Sequence, residues 1–159
     1  MVVIKKNSRD KSLKEAKNTA YRLLKIRNRS QQEIRDKLTQ KDFPKEIVEE
    51  TISYLESIDL IDDNLFAKGF IRSRLNKPFG KRRIVLELKQ KGVAPDIIEN
   101  EFLLIADEIN ETDAAITLAK KRATKYSGID KIKKQQRLFA YLIRRGFSGE
   151  SAQKAIKTI

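Results

Sequence analysis

The chain has 159 residues, with 35 Lys and Arg against 22 Asp and Glu for a formal charge of +13, and it contains no His, Cys or Trp. Without imidazole or thiolate it cannot build an ordinary zinc, copper or iron–sulfur site, a Cys nucleophile, a Ser–His triad or a disulfide framework. We therefore read it as a non-enzymatic protein without cofactor or metal. The length and the 40% hydrophobic content suit one ordinary domain or a string of small repeats, while the 36% charged content demands a large solvated surface. The basic excess points to a polyanionic partner, either nucleic acid or a nucleoprotein.

The opening run Met1-Val2-Val3-Ile4-Lys5-Lys6 is too short for the apolar region of a secretory signal, and no apolar stretch approaches the ~18 residues of a membrane span. Absence of Cys fits a reducing compartment. The expected location is the cytoplasm, away from any membrane. Residues 1–10 read as a tail, and beyond them apolar side chains recur at helical spacing. Ile47, Val48, Thr51, Ile52, Leu55 and Ile58 form one stripe, and Leu65, Phe66, Phe70, Ile71 and Leu75 another. No convincing strand alternation occurs, so the chain is expected to be all-α.

Three helix ends superpose. Ile34, Leu38, Lys41, Asp42 and Phe43 match Ile84, Leu88, Lys91, Gly92 and Val93, and then Leu138, Leu142, Arg145, Gly146 and Phe147, at offsets of 50 and 54 residues. Each copy carries the signature of a Schellman cap. Residue 42, 92 or 146 takes the left-handed conformation, flanked by an apolar pair four residues before and one after, with a basic residue complementing the carbonyl end. Ser30-Gln31-Gln32-Glu33 is a capping box, Pro44 and Pro95 suit first turns, Asp62 or Asp63 caps the next helix, and Asp113 or Thr112 a later one. The expected helices are 11–27, 30–41 and 44–58; 63–76, 81–91 and 95–106; and 112–125, 131–145 and 148–158. They make three tandem three-helix repeats at 11–60, 61–108 and 109–159.

Charge is banded along these repeats. Between Lys68 and Lys91 nine basic residues face only Glu87, and from Lys120 to Arg145 Asp130 is the lone acid. Acidic residues gather between these zones, including Asp107 and Glu108. The candidate partner face is Arg72, Arg74, Lys77, Lys81, Arg82, Arg83, Lys89 and Lys91. Three cations in the first turn after Gly80 oppose the helix dipole, a cost that an anion would relieve, and free N–H groups there could grip a phosphate. Phe66, Phe70, Phe102, Phe139, Tyr141 and Phe147 mostly occupy apolar stripes and read as core. Phe79, in a connector beside Pro78 and Gly80, is the candidate for base stacking. The carboxylates Asp59, Asp62 and Asp63 could together hold Mg²⁺, but helix capping explains Asp62 or Asp63 more simply.

The segment from Ile58 to Val93 resembles the RecX family of recombination regulators. The resemblance rests on Asp62 and Asp63, Phe66-Ala67, Phe70, Arg74, Gly80, Arg83-Ile84, Glu87-Leu88 and Lys91-Gly92, and it extends more loosely over residues 12–159. Leu65 stands where the family commonly carries Arg, which implies the loss of one partner contact. The resemblance implies an elongated, curved, right-handed or solenoid-like array. It further implies a monomer that binds the RecA nucleoprotein filament and suppresses its strand-exchange, ATPase and coprotease activities, with weak binding to single- or double-stranded DNA. The residues leave a second reading open: a free-standing DNA-binding module of helix-turn-helix type built on the capping box at Ser30 and the turn at Asp42.

Overall fold

The computed structural model describes residues 2–106 and 109–159, with side chains from Arg9 onward; Met1, Asp107 and Glu108 lie outside the described residues, and with them the expected boundary at 108. The described residues are helical throughout: α1 (Val2–Ile26), α2 (Gln31–Thr39), α3 (Lys45–Ser57), α4 (Asp63–Leu75), α5 (Lys81–Gln90), α6 (Pro95–Leu104), α7 (Glu111–Ala123) continued by a 3₁₀ turn at Thr124–Tyr126, α8 (Lys131–Arg144) and α9 (Gly149–Lys157).

Local chemistry sets the helix ends. Asp42, Gly92 and Gly146 have φ of 60°, 74° and 87°. Behind each, the amide of Phe43, Val93 or Phe147 donates to the carbonyl of Leu38, Leu88 or Leu142, as a Schellman cap requires. The three leucines are fully buried. A fourth cap of this kind closes α3, where Asp59 has φ 54° and the Leu60 amide donates to Leu55. The capping box at Ser30 is formed, and Asp62 caps α4 through the amides of Asn64 and Leu65.

Two expectations need correction. The cap of α7 is Asn110, which accepts from the Asp113 amide, rather than Asp113 or Thr112. Asparagine competes as well as Asp or Thr for this position, and the helix starts one residue earlier than its charge pattern suggests. α1 begins at Val2, so residues 2–10 continue the helix instead of forming a tail. Arg9 on this extension pairs with Glu50 of α3 at 2.9 Å.

Each repeat has its own core. Ala16, Ile34, Leu38, Val48, Ile52 and Leu55 anchor the first, Ile71, Ile84, Leu88, Ile98 and Phe102 the second, and Ala115, Ala119, Leu142, Phe147 and Ala155 the third. Ile61 packs on the first core and Ile109 on the second, so these two cores draw in the first residue of the repeat that follows. The accessible surface is 10573 Å², whereas a compact protein of this mass exposes about 8,200 Å². The excess is what an elongated row of three small cores costs.

The repeats join through their middle helices, end to end. At the first joint the N-terminal turn of α2 meets the C-terminal turn of α5: the Ser30 hydroxyl donates to the Lys91 carbonyl at 2.5 Å, and the Gln31 amide donates to Asp63 at 2.9 Å. At the second joint the N-terminal turn of α5 meets the end of α8: the Gly80 amide donates to the Arg145 carbonyl at 2.9 Å, the Arg82 amide to the Gly146 carbonyl at 3.1 Å, and the Lys81 amide to Glu111 at 3.1 Å. Positive helix ends thus face negative ones, and groups that a helix leaves unsatisfied are satisfied by the neighbouring repeat.

Candidate partner interface at the repeat joints

The eight candidate cations lie on α4, α5 and the turns that follow them, but they do not form one free face. Glu87, half-buried on α5, takes two of them. Its Oε1 accepts from Arg83 Nε at 2.7 Å, and its Oε2 lies 2.7 Å from Arg74 Nε in an ion pair whose alignment falls short of a hydrogen bond. Lys91 reaches across the first joint to Glu33 at 2.9 Å, where Arg27 also binds at 2.8 Å. Burial opposes ionisation of Glu33, but the hydrogen bonds from Arg27 and Lys91 and their charges outweigh it and hold the carboxyl at about 2. Lys81 lies with Nζ 4.9 Å from the centre of the Phe102 ring. Arg72, Lys77, Arg82 and Lys89 are exposed and have no acidic partner among the described residues.

The first turn of α5 does not offer free N–H groups to a phosphate. The amides of Gly80, Lys81 and Arg82 are taken by Arg145, Glu111 and Gly146. The partner of these amides is the carbonyl end of α8 together with Glu111, not a free phosphate. Gly80 itself is buried, and a Cβ there would overlap the Gly146 carbonyl and the Phe147 nitrogen. Its role is close backbone approach.

The three aspartates all have structural roles: Asp59 is the left-handed residue of the α3 cap, Asp62 caps α4, and Asp63 accepts the Gln31 amide of the preceding repeat. Burial pushes the Asp63 carboxyl above its usual range, the Gln31 amide opposes this, and the charges of Asp62 and Glu56 add to it.

Phe66, Phe102 and Phe147 are core residues, while Phe139 is partly exposed. Phe79 is half-buried between two guanidinium groups, with Arg74 at 5.5 Å and Arg145 at 5.0 Å from its ring centre. It is one link in a row of cation–aromatic contacts. Towards the first joint Arg74 and Lys91 lie 4.9 and 5.6 Å from the Phe70 ring, beside a cleft of about 540 Å³ also lined by Arg27 and Ser73. Towards the third repeat the row continues through Tyr141, Arg122 and Tyr126. Residue spacing marks this second basic zone but not its pairing with rings, because partners such as Phe79 and Arg145 lie 66 residues apart.

Among the described residues no helix is long and apolar enough to cross a membrane. The family model described as RecX, first three-helix domain, matches residues 16–55, and the models of the second and third three-helix domains match 62–100 and 110–156. The chain is 34% identical over 151 residues to the Regulatory protein RecX of Prosthecochloris aestuarii, covering 92% of this chain and 95% of that one. To that of Caldanaerobacter subterraneus subsp. tengcongensis it is 32% identical over 143 residues, covering 90% and 70%. The crystal structure of RecX from Lactobacillus salivarius superposes with a TM-score of 0.81 at 29% identity, covering 94% of this chain and 97% of that one. With all three of its three-helix units matched in order, the chain belongs to the RecX family of regulatory proteins.

Proposed function

We propose that this chain regulates the RecA recombinase by binding the RecA–DNA filament and inhibiting its recombinase, ATPase and coprotease activities, thereby modulating recombination, DNA repair and the SOS response. Membership in a family of regulatory proteins carries the reading, and the absence of His and Cys supports action by binding rather than by catalysis. The protein acts as a cytoplasmic monomer. Its exposed cations Arg72, Lys77, Arg82 and Lys89, which have no acidic partner among the described residues, meet acidic filament surface or DNA phosphate, and the acidic segments between the basic zones meet basic parts of the filament.

The alternative helix-turn-helix module is not favoured. The helix that would enter a DNA groove after the turn at Asp42 is α3, which carries Glu46, Glu49, Glu50 and Glu56, and its counterpart α6 carries Asp96, Glu99 and Glu101. Such helices repel phosphate.

The test is RecA ATPase on single-stranded DNA with substoichiometric protein added. Inhibition is expected, and Arg82→Glu combined with Lys89→Glu weakens it without loss of helix content. An unchanged ATPase rate with wild-type protein overturns the reading.

A further inference from the structure

The middle helix of each repeat turns one side to a core and another outward, and the outward sides differ. On α8 the residues Ile132, Gln136, Phe139 and Ile143 follow at spacings of four, three and four, so they form one row along the helix. Ile132 is 65% exposed, and Phe139 and Ile143 are 37% exposed each. None of these three packs on a core among the described residues. The opposite side of α8 supplies the fully buried Leu138 and Leu142.

The other repeats fill the matching positions differently. Where α8 has Gln136, Phe139 and Ile143, α5 has Arg82, Val85 and Lys89, and α2 has Gln32, Arg35 and Thr39. Val85 is half-buried against the second core, and Arg35 pairs with Glu49 at 2.8 Å. The three-helix fold therefore does not require exposed apolar groups at these places. α8 also starts one turn early. Gln135 matches Lys81 and Gln31, the first residues of α5 and α2, whereas α8 begins at Lys131, capped by the Asp130 carboxylate. The first turns of α2 and α5 are occupied by the joints; that of α8 carries Ile132 outward.

Beside the apolar row runs a charged one. Lys133, Arg137 and Arg144 each follow a member of the row by one residue, so they flank it on one side. All three are exposed, α8 contains no acidic residue, and none of its cations is in an ion pair among the described residues. A phosphate backbone would use the charged row and gain nothing from the apolar one; a wholly apolar ligand would do the reverse. A helix with its own apolar stripe and carboxylates along one edge uses both. Ridges-into-grooves packing covers Ile132, Phe139 and Ile143, and the carboxylates meet Lys133, Arg137 and Arg144. From Ile132 to Ile143 the row is about 16 Å long, which matches three turns of such a helix.

We propose that the outward face of α8 docks an acidic amphipathic helix of a partner protein. The site stands apart from the filament reading: it uses none of Arg72, Lys77, Arg82 and Lys89, and its test needs neither RecA nor DNA.

The experiment measures anisotropy of labelled, end-capped helical peptides of about 18 residues with the full chain. The first peptide carries Leu at spacings of four, three and four with Glu beside each; the second has Lys in place of Glu, and the third Ser in place of Leu. The first is expected to bind at least about tenfold more tightly than either of the others. Phe139→Ser with Ile143→Ser weakens its binding at least about tenfold, while Phe139→Leu with Ile143→Leu retains it, which separates loss of the apolar row from loss of the fold. Arg137→Glu with Arg144→Glu also weakens it at least about tenfold, and less at high salt. Lys37→Glu with Lys41→Glu makes the same change of net charge on exposed positions of the first repeat and leaves affinity within about twofold. Equal binding of the Leu and Ser peptides would leave charge alone and overturn the proposal, as would equal losses from the two charge reversals. A dimer of the free chain in sedimentation, dissolved by Phe139→Ser with Ile143→Ser, would assign the face to a second copy and overturn the partner helix.

Discussion

At the first joint the N-terminus of α2 is closed by side chains: the Ser30 hydroxyl on the Lys91 carbonyl, the Asp63 carboxylate on the Gln31 amide, and Glu33 holding Lys91. At the second, the N-terminus of α5 is closed largely by main chain, with the Gly80 and Arg82 amides on the Arg145 and Gly146 carbonyls. The geometry of docking is shared and the chemistry is not. A joint made of side chains responds to pH and salt. One made of peptide groups does not, and it demands that nothing larger than hydrogen stand between the two backbones. The first joint is therefore the more adjustable of the two, and the second, with Glu111 as its side-chain acceptor, the more constrained.

The largest expected effect separates the two by sterics. Gly80→Val places its side chain against the Gly146 and Phe147 backbone, which cannot swing aside, and should cost about 3 kcal/mol. Gly92→Ala at the first joint overlaps the Cβ and Cγ of Gln32, the anchored end of that side chain, and adds the strain of a left-handed φ of 74°, so it should cost about 2 kcal/mol. Urea unfolding of both variants checks this. Equal losses would show that the second joint is no tighter than the first.

The caps were legible in the sequence because each depends on residues within one turn: an apolar pair around a position that tolerates the left-handed conformation. Asp59 escaped because neither Gly nor a basic neighbour marks it. The start of α1 escaped because its Lys- and Ser-rich residues lack an apolar stripe. The joints were not legible at all, since nothing local says that Ser30 meets Lys91 or Gly80 meets Arg145. The candidate face suffered from the same blindness. A count of cations between Lys68 and Lys91 cannot reveal that Glu87 takes Arg74 and Arg83, or that Glu33, 58 residues away, takes Lys91.

Acid should act on the first joint through Glu33. Glu33 titrates at about 2 in the folded protein and at its ordinary 4.5 when unfolded, so the folded state binds fewer protons between these values. The contribution of the Arg27–Glu33–Lys91 cluster is complete above about pH 4.5 and is lost as pH falls towards 2. Allowing for solvent screening of the partly exposed Arg27, we expect about 1–2 kcal/mol. Urea unfolding across this range should show a shallower loss for Glu33→Gln than for the wild type. Parallel curves would remove the cluster from the joint.

The smallest effect has the opposite sign. Burial raises the Asp63 carboxyl, so the folded state holds that proton more tightly than the unfolded chain. Its stabilising influence is complete below the ordinary 3.8 and is lost as pH rises through the folded value. At neutral pH the first joint therefore contains a carboxylate whose charge is a cost and whose oxygen is nonetheless needed by the Gln31 amide. Asp63→Asn keeps an oxygen acceptor and removes the charge. Its expected effect at pH 7 is between none and a gain of about 0.5 kcal/mol. Because wild-type Asp63 partly offsets the acid loss at Glu33, the variant should also lose stability more steeply below pH 4.5. A loss at pH 7 of the size that accompanies removal of a helix cap, about 1 kcal/mol, would mean that charge attraction to the α2 N-terminus, rather than the hydrogen bond, holds the first joint closed.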